Sequence, residues 1–244
     1  MMDDILHELT DAQRDAVTHR EGPMLVIAGA GSGKTRVVTR RIAHLIAHGV
    51  WPNQILAMTF TNKAASEMKE RVETLVGVVP RWVGTFHSAC AKFLRQDLAR
   101  LDEGRDGRFV IYDADDQRKV VKDCLEELQI DSNRLNPRTV LGAISNAKCR
   151  RIVPSRRGDS DYYGEIVGEV YRLYQKTLRE RNAVDFDDLL LLTVQLLEEL
   201  PHVRDMYHNR FPYVLIDEYQ DTNRLQYALM KLLTGPGRNI HATG

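Results

Sequence analysis

Cysteine is scarce in this sequence. The three present, Cys90, Cys124 and Cys149, are odd in number and lack metal-ligand spacing. That excludes a disulfide framework and a cysteine-rich metal module, and suits reduced thiols in a cytoplasmic protein. Long apolar runs are also missing. No stretch approaches the roughly 20 residues needed to cross a bilayer, and no signal-peptide layout is present, so no membrane association is expected. Neither sign of charge dominates: 34 Lys and Arg balance 34 Asp and Glu, so global basicity does not point to nucleic acid. The charge is uneven, however. Lys148, Arg150, Arg151, Arg156 and Arg157 fall within 148–157 with no acid among them, either a phosphate contact or a solvated loop. At 244 residues and 43% hydrophobic content, the chain can bury one good core, or one core plus a smaller appended domain.

What is there is organised around Ala28-Gly29-Ala30-Gly31-Ser32-Gly33-Lys34-Thr35. The apolar run Met24-Leu25-Val26-Ile27 before it reads as a short buried strand. Val37, Val38, Ile42, Leu45 and Ile46 after it form a helical stripe. A glycine loop between a strand and a helix start is the setting of a phosphate-binding loop. Side chains would block the approach of backbone N–H groups to an anion, and the turn needs unusual dihedrals. The helix start adds unsatisfied N–H groups. Lys34 can reach the outer phosphates of a nucleotide and the Thr35 hydroxyl can ligate Mg²⁺. Ala28 stands where the strict pattern has Gly.

Upstream, Leu9-Thr10 leads into Asp11-Ala12-Gln13, a helix entry with Thr10 as cap. The Gln13 amide can donate and accept at once, as an adenine edge requires, or it is a surface glutamine. Downstream, a strand at Ile55-Leu56-Ala57-Met58 runs into Thr59-Phe60-Thr61-Asn62-Lys63, then a helix with Ala64, Met68 and Val72 on one face. Phe60, Asn62 and Lys63 together suit single-stranded nucleic acid through stacking, hydrogen bonds and charge; a buried Phe with a capping Asn is the alternative. A third strand near Trp82-Val83-Gly84 leads into Thr85-Phe86-His87-Ser88 and a helix through Leu98. His87, without evident metal partners, suits capping or ligand contact.

Over 100–184 the strand–helix alternation stops. Helical patterns at Gln117 to Leu128 and Ile166 to Arg181, with turn signals at Asn136-Pro137, Pro154 and Arg157-Gly158, indicate a mostly helical insertion. Sheet character returns after Asp185-Phe186-Asp187-Asp188 and the leucine-dense helix 189–200. The apolar strand Tyr213-Val214-Leu215-Ile216 ends in Asp217-Glu218-Tyr219-Gln220-Asp221. An apolar strand running into Asp-Glu is the second half of a P-loop ATPase: Asp217 for Mg²⁺, Glu218 to polarise the attacking water. A helix from Leu225 to Leu233 and a short strand at Asn239 to Ala242 complete the chain. The fold class expected is α/β, a P-loop NTPase parallel sheet flanked by helices with an inserted helical domain.

Seven segments in order resemble superfamily 1 DNA helicases of the UvrD/Rep/PcrA kind. They are Leu9-Thr10 to Gln13, AGAGSGKTR at 28–36, TFTNKAASEMKER at 59–71, GTFHS at 84–88, IYDADDQ at 111–117, DFDDLL at 185–190 and VLIDEYQDTN at 214–223. The resemblance implies a RecA-like motor domain over 1–95 and 185–244, with the inserted domain over 96–184. It implies an ATP-driven 3′→5′ translocase that separates DNA strands, acting on single-stranded DNA and single/double-strand junctions. Gln13 would read adenine and the Lys34-Thr35-Arg36 run would bind phosphates and nucleotide. The regions of Thr59, Phe60 and Asn62 and of Thr85 and His87 would contact single-stranded DNA. Asp217 and Glu218 would serve Mg²⁺ and hydrolysis. Family members continue with a Gly-Asp-x-x-Gln motif and a second motor domain that supplies arginines to ATP. This sequence stops at His241-Ala242-Thr243-Gly244, residues less apolar than that strand usually is, so an N-terminal part of a helicase is expected. A nucleotide- and DNA-binding module without turnover, an RNA helicase and part of a helicase–nuclease subunit are the competing readings.

Overall fold

The computed structural model describes all residues except 1, 20, 30, 102–103, 132–134, 153–161 and 236–238. In chain order the elements are α1 (Met2–Leu6), α2 (Asp11–Thr18), β1 (Met24–Val26), α3 (Lys34–Ala47), β2 (Ile55–Thr59), α4 (Asn62–Val76), β3 (Val83–Thr85), α5 (Phe86–Asp97) and β4 (Val110–Ile111). They continue as α6 (Ala114–Glu127), α7 (Pro137–Cys149), α8 (Tyr162–Glu180), β5 (Ala183–Val184), α9 (Phe186–Glu199), α10 (Pro201–Arg210), β6 (Tyr213–Ile216), α11 (Arg224–Leu233) and β7 (Asn239–Thr243). The turn signals at Pro154 and Arg157-Gly158 lie outside the described residues.

The chain divides into two units, one of 1–89, 201–222 and 226–244, the other of 90–200 and 223–225. In the first, five strands pair in the order β1-β7-β6-β2-β3, every pairing parallel. Parallel strands need crossovers, and helices supply them, which makes this the α/β layer expected. Every residue of β2 is buried, as a continuous apolar run covered on both faces should be. Val38, Ile42 and Leu45 of α3 pack with Met68 and Val72 of α4 against Ile55, Ala57, Val83 and Leu215 of the sheet. On the α4 face, Ala65 is the fully buried alanine and Ala64 is half-buried. Leu9, Ala16 and Val17 close a neighbouring cluster with Val37 and Ala43.

One strand departs from the sequence reading. Met24 to Ile27 is apolar enough for a buried strand, but among the described residues β1 pairs with β7 alone, and Leu25 and Ile27 are 54% and 81% exposed. An apolar run does not reveal whether its strand sits at the middle of a sheet or at an edge.

The second unit is mostly helical, with the short parallel pair β4–β5. Its core joins Val120, Val121 and Leu125 of α6 to Val140 and Ile144 of α7 and to Val170, Tyr174 and Leu178 of α8. Helix α9, expected from its place in the sequence to belong with the sheet, is grouped with this unit instead. A buried ionic cluster ties it there. Lys148 of α7 donates to Asp185 Oδ2 at 2.5 Å and Asp188 Oδ1 at 2.8 Å, while Tyr174 of α8 donates to Asp185 Oδ2 at 2.9 Å. Asp185 and Asp188 are also the capping box of α9, so the helix start is bound to α7 and α8.

Candidate functional site

The parallel register sets the carboxyl ends of the five strands along one edge: Val26 is level with Thr243, Ala242 with Ile216, Ile216 with Met58, and Thr59 with Thr85. Open α/β sheets bind ligands at that edge, and the chemistry-bearing segments of this unit follow strand ends there.

After β1, the Ala28 N–H donates to the Gly244 carbonyl at 2.9 Å, and the Ser32 N–H to the Gly29 carbonyl at 3.3 Å. Gly31 and Gly33 take φ values of +74° and +87°, which a side chain would strain. At Gly33 there is a second constraint, since a Cβ would lie 3.1 Å from the Gln13 amide nitrogen. Gly33 opens α3, so loop and helix start present N–H groups in succession. Lys34 curls over the loop, its Nζ donating to the carbonyls of Ala28 at 2.9 Å and Gly29 at 3.3 Å. Ala30 lies outside the described residues.

Thr10 caps α2 as its sequence position indicates, and Gln13 completes the box. Thr10 Oγ1 accepts from the Gln13 N–H at 3.3 Å and Gln13 Oε1 from the Thr10 N–H at 3.1 Å. The Gln13 amide nitrogen then donates to the Ser32 carbonyl at 2.9 Å. This glutamine is thus a brace between α2 and the glycine loop. Arg36, in the first turn of α3, donates to Glu8 Oε2 at 3.1 Å. A cavity of about 410 Å³ opens beside it, lined by Glu8, Arg36, Thr39, Arg40, Arg71 and Leu75 among others. Arg71 closes the segment TFTNKAASEMKER, and nothing in its spacing there marks it as a cavity residue.

Asp217, 1% exposed, stands at the end of β6. Its Oδ2 accepts from the Thr35 hydroxyl at 2.9 Å and its Oδ1 from the Thr243 hydroxyl at 2.9 Å. The glycine loop and the Asp-Glu motif, 182 residues apart, therefore meet directly. Thr35 and Asp217 are hard oxygen donors, and no group of three or more His, Cys, Asp or Glu that could hold a metal occurs among the described residues. Two protein oxygens suit Mg²⁺, which keeps several waters and takes substrate phosphate oxygens for the remainder. Thr243 carries no signal of its own in the sequence, since it ends a short strand that is itself weakly apolar. Glu218 adopts φ +57° and ψ +46°, unfavourable for a non-glycine residue, and its carboxylate accepts from the Gln220 amide.

Further along the edge, Thr59 and Thr85 pair in register at the ends of β2 and β3 and are buried. Thr85 Oγ1 accepts from the Ser88 N–H at 3.2 Å at the start of α5. The cap of α4 is Thr61, whose hydroxyl accepts from the Ala64 N–H at 3.1 Å; Asn62 is exposed. Phe60 is half-buried and meets the buried Phe86 edge-on at 5.6 Å. His87 is half-buried nearby in sequence. The basic segment 148–157 fares differently. Lys148 is fully buried between two carboxylates, and Arg151 donates to Glu198 Oε1 at 3.0 Å. Arg156 and Arg157 lie outside the described residues.

Comparison with known proteins bears directly on this arrangement. The profile of the UvrD/REP helicase N-terminal domain matches residues 9–244. ATP-dependent DNA helicase PcrA of Staphylococcus aureus is 46% identical over 248 aligned residues, covering 100% of this chain and 34% of that protein. PcrA of Staphylococcus epidermidis matches at the same 46% identity and the same coverage. The chain thus spans about a third of the length of the curated relatives it matches.

Proposed function

Because the chain belongs to the UvrD/REP helicase N-terminal domain family, we propose that it is the ATP-binding motor domain of a 3′→5′ DNA helicase, with the five-stranded unit as motor and the mostly helical unit, α9 included, as insertion. The observation that carries this reading is the 2.9 Å contact between Thr35 and Asp217, which joins the phosphate loop to the acidic strand end.

In this reading Lys34 leaves the carbonyls of Ala28 and Gly29 and donates to the outer phosphates of ATP. The N–H groups of Gly29, Ala30, Gly31, Ser32 and Gly33, with Ala28 at the loop entry, cradle the phosphates. Thr35 and Asp217 hold Mg²⁺, which when bound neutralises phosphate charge. Glu218 accepts the proton of the attacking water. The cavity beside Arg36 receives the nucleoside portion, with Gln13 at the adenine and Arg71 as an added contact. The half-exposed face of Phe60, with Asn62 and His87, meets single-stranded DNA along the same sheet edge. Thr59 and Thr85, being buried, act there through the backbone and by fixing the turns.

Calorimetric titration of Mg-ADP into wild type and Lys34→Ala tests the assignment. Loss of a charge-assisted contact is expected to weaken binding about 10- to 100-fold. Unchanged affinity would remove the phosphate-loop reading.

A further inference from the structure

Glu8 is the acidic residue among those that line the Arg36 cavity, and its backbone is in an unfavourable conformation. Its φ is +55°, a left-handed value that costs a non-glycine residue free energy. Its side chain is 69% exposed, with Oε2 at 3.1 Å from the Arg36 guanidinium and Oε1 at 3.9 Å from His7 Nδ1. Arg36 and Arg40 repel one another, and Arg40 is lowered from its ordinary pKa by burial and then by Arg36. Arg40 is turned to the carbonyls of Asp4 and Ile5 at the end of α1. The carboxylate that neutralises Arg36 is therefore Glu8, at the rim of the cavity. Arg36 sits two residues after Lys34, on the same helical turn as the phosphate loop.

We propose that Glu8 is an internal competitor for nucleotide, a carboxylate that occupies Arg36 and must be displaced when a nucleoside phosphate enters. This rests on the reading of Arg36 as a nucleotide contact. Two forces act in the same direction. Arg36 donors committed to Glu8 are withheld from the ligand, and the Glu8 charge repels a polyanion approaching the loop. The contact is exposed, so the ion pair itself is modest and gives way to a ligand held by the loop as well. Glu8 thereby sets the threshold concentration of nucleotide without touching phosphate.

The test is calorimetric titration of Mg-ADP into wild type, Glu8→Gln, Arg36→Ala and the double variant of the chain. Glu8→Gln keeps the shape and removes the charge. It is expected to tighten ADP about two- to fivefold, the range of an exposed ion pair, and the gain should shrink as salt is raised from about 0.05 to 0.5 M. Arg36→Ala should weaken ADP, and in that background Glu8→Gln should lose the part of its gain that comes from freeing Arg36 and keep only the salt-sensitive part that comes from relieving repulsion. Glu8→Gly, which removes both the charge and the backbone strain, should tighten ADP as well and raise Tm. If Arg36→Ala weakens ADP while Glu8→Gln leaves it unchanged or weaker, Glu8 is not a competitor and the proposal fails alone. If Arg36→Ala has no effect, the nucleotide reading of Arg36 fails and takes the proposal with it.

Discussion

Glu218 holds a backbone conformation that few side chains adopt, directly after the carboxylate that two hydroxyls grip. Strain of this kind persists where the surroundings over-determine it, and here the neighbouring groups are those proposed for hydrolysis. In an actively hydrolysing form that contains this chain, Glu218→Gln is expected to leave ATP affinity nearly unchanged and cut turnover about 10²–10⁴-fold, the range for a general base. Steady-state rates beside direct binding check it; a parallel fall in affinity would make Glu218 a structural residue. A second residue-scale expectation concerns His241, 2% exposed in β7, with neither ring nitrogen hydrogen-bonded among the described residues. Burial, with Arg41 and His19 nearby, holds its pKa down to about 3, and burial, His48 and Arg41 hold His44 down to about 4. Both lie below the unfolded value of about 6.5. The unfolded chain therefore binds more protons than the folded one between those values, and stability falls as pH drops from about 6.5 toward 4. Urea midpoints across that range should show this loss. His241→Leu should reduce it and raise stability at pH 7 by about 1–3 kcal/mol, the penalty of an unsatisfied buried polar group.

At the scale of elements, the start of α9 is held by charge as well as by its buried leucines. Burial alone would lower the Lys148 amine, but Asp188 and Asp185 reverse that and raise it. Asp188 is held down against its burial by Lys148 and Arg105, while burial and Asp188 raise Asp185. Removing one partner from such a group leaves uncompensated buried charge. Lys148→Met is accordingly expected to destabilise by about 3–5 kcal/mol, read as a shifted denaturation midpoint. The double variant Lys148→Met, Asp185→Asn, which leaves Asp188 to the buried Arg105, should recover much of the loss; no recovery would place the cost in packing instead. Another element-level expectation sits at the turn from β2 to α4. Phe60→Ala should weaken single-stranded DNA binding by the roughly 1–3 kcal/mol of one stacked base, measured by fluorescence titration at two salt concentrations. Equal affinities would assign Phe60 to its contact with Phe86 alone.

For the molecule as a whole, the 244 residues expressed by themselves are expected to hydrolyse ATP barely above background and not to separate strands. Phosphoryl transfer gains about 10³–10⁵ in rate from an arginine finger. Arg36, the arginine beside the phosphate loop, is paired with Glu8. The helicase relatives that the chain matches are about three times its length, and translocation requires domains that close on ATP and reopen. ATPase assays with and without single-stranded DNA check this. DNA-stimulated turnover of about 1 s⁻¹ or more would show that the chain, or two copies of it, supplies the missing charge.

The sequence by itself determined the layered α/β fold, the strand-to-helix placement of the glycine loop, the Thr10 cap and the acidic end of β6. Each is a local matter: periodicity, glycine at a positive φ, or a capping side chain three residues from its partner. It also carried the family resemblance, because seven short motifs in order are a pattern along the chain. Tertiary structure alone decided what depends on which distant groups become neighbours. Only the sheet order brings Thr243 to Asp217 and leaves Leu25 exposed on an edge strand. Lys148 looks in the sequence like the first cation of a basic surface loop, and burial between two carboxylates makes it an anchor. Gln13 meets Ser32, and Glu8 meets Arg36, across gaps of 19 and 28 residues. A side chain's type and spacing state what it can bond; the packing of the rest of the chain settles what it does bond, since desolvation and proximity are set by neighbours that the local sequence does not contain.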